Sequence, residues 1–209
     1  MGRTVTLRPA TSPAAVRYLM ALSRHLLRAE HAAVKGLMAL LCVLVLLNVV
    51  TRYAGVPIYW VDESAVFSVV WLTFIGGSAM TRMRLDFAMT LVTERLSSRA
   101  AAVARAVSTA CVLAFGLMLG WMCCLWMDPV GIAASGFDAK EFAAQSFNFL
   151  YTERTQTLNW PTWVLYLIMP IFAAELVVHG TANLLEDLGL AERSTLPDFA
   201  STPAEGIVN

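Results

Sequence analysis

The sequence predicts an all-α membrane protein of four transmembrane helices with short amphipathic helices at the interface, and three observations carry that prediction. Four stretches hold no charged residue: 36–51, 64–81, 106–127 and 155–174. Each comes near the roughly 20 residues that an α-helix needs to cross about 30 Å of hydrocarbon, the first two with Lys35, Arg52 and Arg82 snorkelling. Of the 209 residues, 58% are hydrophobic and 14% charged, whereas a soluble domain carries about 25% charged residues. The basic residues are also unevenly spread. Six precede the first stretch (Arg3, Arg8, Arg17, Arg24, Arg28, Lys35), five separate the second from the third (Arg82, Arg84, Arg95, Arg99, Arg105), three lie in the other two loops (Arg52, Lys140, Arg154) and Arg193 stands in the tail. The positive-inside rule then puts both termini and the second loop in the cytoplasm. The net charge of zero argues against a nucleic-acid partner, so the arginines read as a topology signal in a lipid bilayer.

The elements follow in order, with domain limits at 1–31, 32–188 and 189–209. Residues 1–15 contain Pro9 and Pro13 without periodicity and are expected to be irregular. In 16–30, Tyr18, Leu19, Leu22, Leu26 and Leu27 recur at helical spacing among Arg17, Arg24 and Arg28. That pattern predicts a basic amphipathic helix lying in the headgroup layer. The first span, about 32–53, ends at Gly55-Val-Pro57. It follows some 35 residues and lacks a small-x-small cleavage site, so it is not read as a cleaved signal. The second span, about 59–83, opens on the interfacial pair Tyr59-Trp60. Residues 85–96 form another amphipathic stretch, and Ser97 or Ser98 is placed to cap a third span over about 99–127. In the loop 128–159, Pro129 and Gly131 end that span. Asp138-Ala-Lys-Glu141 then resembles a capping box before Phe142, Phe147, Phe149 and Tyr151. One short helix on the outer membrane face is expected there. The fourth span, about 160–185, starts at Trp160-Pro-Thr-Trp163, with Pro161 in the first turn.

Chemistry has few places to sit. At 100° per residue, Trp60, Glu63, Phe67, Trp71, Phe74 and Ser78 share one face of the second span. A carboxylate in an aromatic stripe calls for protein or water rather than lipid beside it. Gly76-Gly77 allows close helix approach, as does Gly116-Leu-Met-Leu-Gly120 in the third span. Glu175 lies fifteen residues after Trp160, about 22 Å along the fourth helix. His179 and Asn183 follow at i+4 intervals, and Arg82 and Arg84 are the expected counter-charges for Glu175. Trp60, Glu63, Trp71, Gly76, Gly77, Arg82, Arg84 and Glu175 are therefore the candidate partner-contact residues. No catalytic, cofactor-binding or metal site is expected. His25, His31 and His179 lack a metal-ligand spacing, no glycine-rich phosphate loop is present, and Cys42, Cys111, Cys123 and Cys124 all fall inside predicted spans. A chain with so little polar equipment in its spans reads as a scaffold or partner subunit.

Arg52, Trp60-Val-Asp-Glu63, Trp71-Leu-Thr-Phe74-Ile-Gly76-Gly77 and Arg82, together with Pro161-Thr-Trp163-Val-Leu-Tyr166-Leu-Ile-Met-Pro170, resemble the small four-helix membrane subunit of tripartite ATP-independent periplasmic (TRAP) transporters, the DctQ-like or Q subunit. The resemblance covers about residues 32–188. It departs after Arg82, where the family's H-I-x-V-D pattern is replaced by Asp86-Phe-Ala-Met-Thr90. The resemblance implies a component of the bacterial inner membrane that is neither an enzyme nor a cofactor carrier. Its implied partners are a large DctM-like membrane subunit, which moves an organic acid with the sodium gradient, and a periplasmic substrate-binding protein, which captures it. The small subunit would hold neither the sodium nor the substrate site. The alternative, a four-helix cytochrome b-type or quinone-reactive anchor, requires paired histidines inside the bundle, and only His179 lies well within a span.

Overall fold

A computed structural model describes residues 13–84 and 96–192. Its elements are α1 (Ala14–Tyr53), α2 (Tyr59–Met83), α3 (Ser98–Met127), α4 (Pro129–Ala134), α5 (Ala139–Ser146), α6 (Thr162–Tyr166) and α7 (Ile168–Asp187). Among the described residues, four segments are long and apolar enough to cross a membrane: α1, α2, α3 with α4, and α6 with α7. The chain is an all-α, multi-pass membrane protein. The expectations placed on 1–12, on 85–95 and on the tail from 193 onward lie outside the described residues.

Residues 16–30 are continuous with the first span instead of forming a separate helix. Residues 14–53 form one 40-residue rod, about 60 Å long. From Ala14 to Arg52 the sequence holds no proline and only one glycine, Gly36, so nothing interrupts the i→i−4 ladder. Met20, Ser23, Leu27 and Glu30 are buried and recur at spacings of three and four, the signature of a helix face packed on protein. That buried stripe is not the predicted amphipathic face: of Tyr18, Leu19, Leu22, Leu26 and Leu27 only Leu27 is buried, and Tyr18 and Leu22 point out of the bundle.

The fourth span also differs in detail. It starts at Thr162, one residue after Pro161, and is interrupted at Leu167 between α6 and α7. Pro170 is the cause, because it cannot donate to the carbonyl of Tyr166 and its ring crowds that turn. Asp128-Pro129 ends α3 as expected but also starts α4, with the Asp128 carboxylate accepting from Gly131 N at 2.8 Å. A Cβ on Gly131 would collide with that carboxylate, so the turn depends on glycine. The loop thus carries two short helices in place of one. Asp138 caps the second through the backbone N–H groups of Lys140 and Glu141, and Ser97 caps α3. Tyr151 ties the loop down by donating to Met127 O at 2.6 Å. Burial pushes its phenol above the usual range, with the Asp128 charge adding to the effect, so it remains a donor.

α7 is the central helix: it packs against α3, α2 and α1, and α1 packs along α2. Small residues set the α3–α7 approach. A Cβ on Gly116 would lie 3.0 Å from Leu176 Cβ, and one on Gly180 3.4 Å from Leu113 Cα. Gly120 faces Ala173, so the GxxxG of α3 is a helix-packing face.

Candidate functional site

The polar residues of the spans meet at three levels of the bundle. At the Arg82 end, Arg82 is 1% exposed and reaches from α2 to α7, donating to Asn183 Oδ1 at 2.5 Å and Glu186 Oε1 at 2.8 Å. Asn183 answers by donating its side-chain amide to Thr81 O at 2.8 Å. Arg84 follows in the left-handed conformation, φ 56°. Its guanidinium then donates to Asp187 Oδ1 and Asn183 O, both at 2.8 Å. Thr109 of α3 donates to the other oxygen of Asp187 at 2.9 Å. Three helices are cross-linked by one charged network.

Glu175 has no part in that network, contrary to expectation. α2 and α7 run parallel, and Arg82 lies 22 residues beyond Trp60 whereas Glu175 lies fifteen beyond Trp160. Seven residues amount to about 10 Å of axial offset, which Glu186 and Asp187 close and Glu175 does not. At its own level Glu175 joins a cluster with Ser23, Glu30, Ser78 and His179. There Ser78 donates to Glu30 Oε1 at 2.8 Å, and His179 bridges Glu30 at 3.0 Å and Ser23 at 2.8 Å. Both ring nitrogens of His179 are thus engaged and the residue is 0% exposed, which leaves neither nitrogen for a haem iron. Among the described residues, no group of three or more His, Cys, Asp or Glu could hold a metal ion.

At the loop end, Glu63 clasps the turn before α6. Its carboxylate accepts from the backbone N–H groups of Gln156, Thr157 and Leu158 at 2.8–2.9 Å, and from the Thr157 hydroxyl. Neighbouring Asp62 accepts from Arg52 at 2.7 Å and from Asn48, closing the α1–α2 hairpin. Two rings of the aromatic stripe of α2, Trp71 and Phe74, pack on protein, and that protein is this chain. Trp71 Nε1 donates to Leu165 O at 3.1 Å, and Phe74 meets Phe172 edge-on at 5.1 Å between centroids. Trp60 remains 44% exposed. Gly76 and Gly77 do not set a close approach within the chain: a Cβ on Gly76 would meet nothing within 4 Å, and one on Gly77 only the Phe172 ring edge at 3.8 Å.

Sequence reading missed Glu30, Ser23, Asn48, Asp62, Glu186 and Asp187. For the first two a signal existed, since Met20, Ser23, Leu27 and Glu30 share a helical stripe that also holds apolar residues.

Residues 41–190 match the family described as tripartite ATP-independent periplasmic transporters, DctQ component. The chain belongs to that family. It is a small membrane subunit of a TRAP transporter, a transport component that associates with other components of such a system. No curated protein and no solved structure matches it. Arg82, Glu186 and His179 bond across its own helices, and Glu175 is buried beside them.

Proposed function

We propose that this DctQ component is the scaffold of a TRAP transporter in the bacterial inner membrane. It pairs with a large DctM-like subunit and a periplasmic substrate-binding protein that together take up an organic acid with the sodium gradient. The observation that carries the reading is the commitment of polar groups in the spans to helix–helix contacts, in a chain of this family. A subunit built this way offers a rigid, apolar flank rather than a path for ions.

The partner-contact residues divide on burial. Arg82 and Glu175 act on assembly through the shape of the bundle, with Arg84, Trp71 and Glu63 supporting the same helices, while Trp60 and Gly76 face outward. Val66, Val69, Thr73 and Met80 are exposed on α2 beside Gly76, and a smooth Val/Thr/Gly face of this kind lets another helix come close. The large subunit is proposed to pack there.

Co-expression with a large TRAP membrane subunit encoded beside this chain tests the reading. A complex should survive detergent extraction, and sodium-driven uptake of an organic acid in proteoliposomes should require both membrane subunits and the binding protein. Full uptake by the large subunit and binding protein alone would defeat it.

A further inference from the structure

The junction of α1, α2 and α7 contains more acid than its neighbours account for. Glu30 comes from α1, Glu175 from α7, and they are 2% and 7% exposed; His179 of α7, Ser23 of α1 and Ser78 of α2 are fully buried with them. The nearest cation on α2, Arg82, lies one turn beyond Ser78 and is held by Asn183 and Glu186. On α1, His31 adjoins Glu30 in sequence and is half-buried. On α7, Asn183 one turn beyond His179 is taken by Arg82 and Thr81.

Counting hydrogens decides what the cluster can hold. An ionised Glu30 only accepts, so the His179 Nε2 facing it must carry a hydrogen. In the neutral imidazole Nδ1 is then an acceptor, and the Ser23 hydroxyl at 2.8 Å supplies its donor. Ser78 spends its single hydrogen on Glu30 Oε1. Glu175, one turn before His179 among the buried residues of α7, comes up beside Ser78 and Glu30 without making a hydrogen bond there. What Ser78 has left to offer it is a lone pair. Meanwhile Oε2 of Glu175 and Oε2 of Glu30 are buried with no hydrogen-bond partner. An acceptor-only Glu175 would oppose a lone pair and a like charge in an apolar junction, an arrangement that buried polar groups avoid.

We propose that this three-helix junction is a proton-binding site, in which Glu175 carries one proton and donates it to Ser78 Oγ. The chain Glu175–Ser78–Glu30–His179–Ser23 then alternates donor and acceptor throughout and holds a single negative charge. The proton can also pass along it. Glu175 gives its hydrogen to Ser78 as Ser78 gives its own to Glu30, so the charge moves from Glu30 to Glu175 with no net gain or loss. Removing the proton altogether leaves two carboxylates charged at the contact of α7 with α1 and α2, and weakens that contact. The inference concerns the chain's own junction and does not depend on which transporter components it assembles with.

Infrared spectroscopy of the full-length chain reconstituted in lipid tests it. At neutral pH the wild type should show a protonated-carboxyl C=O band that shifts on deuteration and is absent from Glu175→Gln. An absent wild-type band, or a band undiminished in the variant, overturns the proposal. A second measurement needs no variant. As pH is raised the wild-type band should vanish, and the thermal unfolding midpoint should fall over the same interval, because the bound proton stabilises the folded state only while it stays bound. A midpoint that stays flat while the band is lost overturns the site.

Discussion

Arg82 and Glu186 are 1% and 3% exposed and 2.8 Å apart, which makes this pair the point where one substitution should matter most. Removing one member of a buried pair can cost up to about 3–5 kcal/mol, and Arg84, 3.5 Å from Glu186, offsets part of that loss when Arg82 is the residue replaced. Arg82→Gln and Glu186→Gln should each lower stability on that scale, and the double variant should lose clearly less than the sum. Thermal or denaturant unfolding of the purified variants measures the cycle; additive losses would mean that the two side chains do not act as a pair. Arg82 was legible in the sequence as a singular residue, whereas its partner was not. Periodicity places a residue on a face of its own helix, but pairing depends on the axial register between helices far apart in the chain. Glu30 and His179 are 149 residues apart, and nothing local to either announces the other.

At the scale of elements, glycines that look alike in sequence divide sharply. Gly116 is packed against Leu176 and Val177, while Gly76 opens on empty space. Gly116→Leu must push α3 from α7 and should destabilise the chain by about 1–3 kcal/mol, as overpacking does. Gly76→Leu adds a side chain where the chain itself has room and gains up to about 1 kcal/mol in helix propensity. It should therefore leave the folded subunit intact and abolish co-purification with the large subunit. Equal recovery of the complex from wild type and Gly76→Leu would move the partner to another face. The spans were legible because hydrocarbon thickness sets the length of an uncharged run. The limits of α1 were not. The apolar residues Tyr18 and Leu22 of the expected amphipathic pattern stay exposed, while the face that packs on α2 and α7 carries Ser23 and Glu30, which that pattern does not mark.

The whole molecule has a direction, and the distribution of charge argues for one. Eleven Lys and Arg residues lie within 1–35 and 82–105, toward one end of the spans, and three (Arg52, Lys140 and Arg154) lie toward the other. Translocating the larger set would oppose the bias that orients membrane proteins. α3 provides the measurement, because its 30 residues separate its ends by about 45 Å, more than the hydrocarbon thickness. Arg99 stands at the start of α3 and Lys140 lies beyond its end, and both are exposed. With Cys42, Cys111, Cys123 and Cys124 replaced, single variants Arg99→Cys and Lys140→Cys can be treated in intact cells with a maleimide that does not cross the membrane. Lys140→Cys should react at once and Arg99→Cys only after the cells are opened. The opposite pattern would reverse the orientation. Reaction of both before opening would mean that α3 does not span, since no placement of a 45 Å rod across the bilayer leaves both ends on one side.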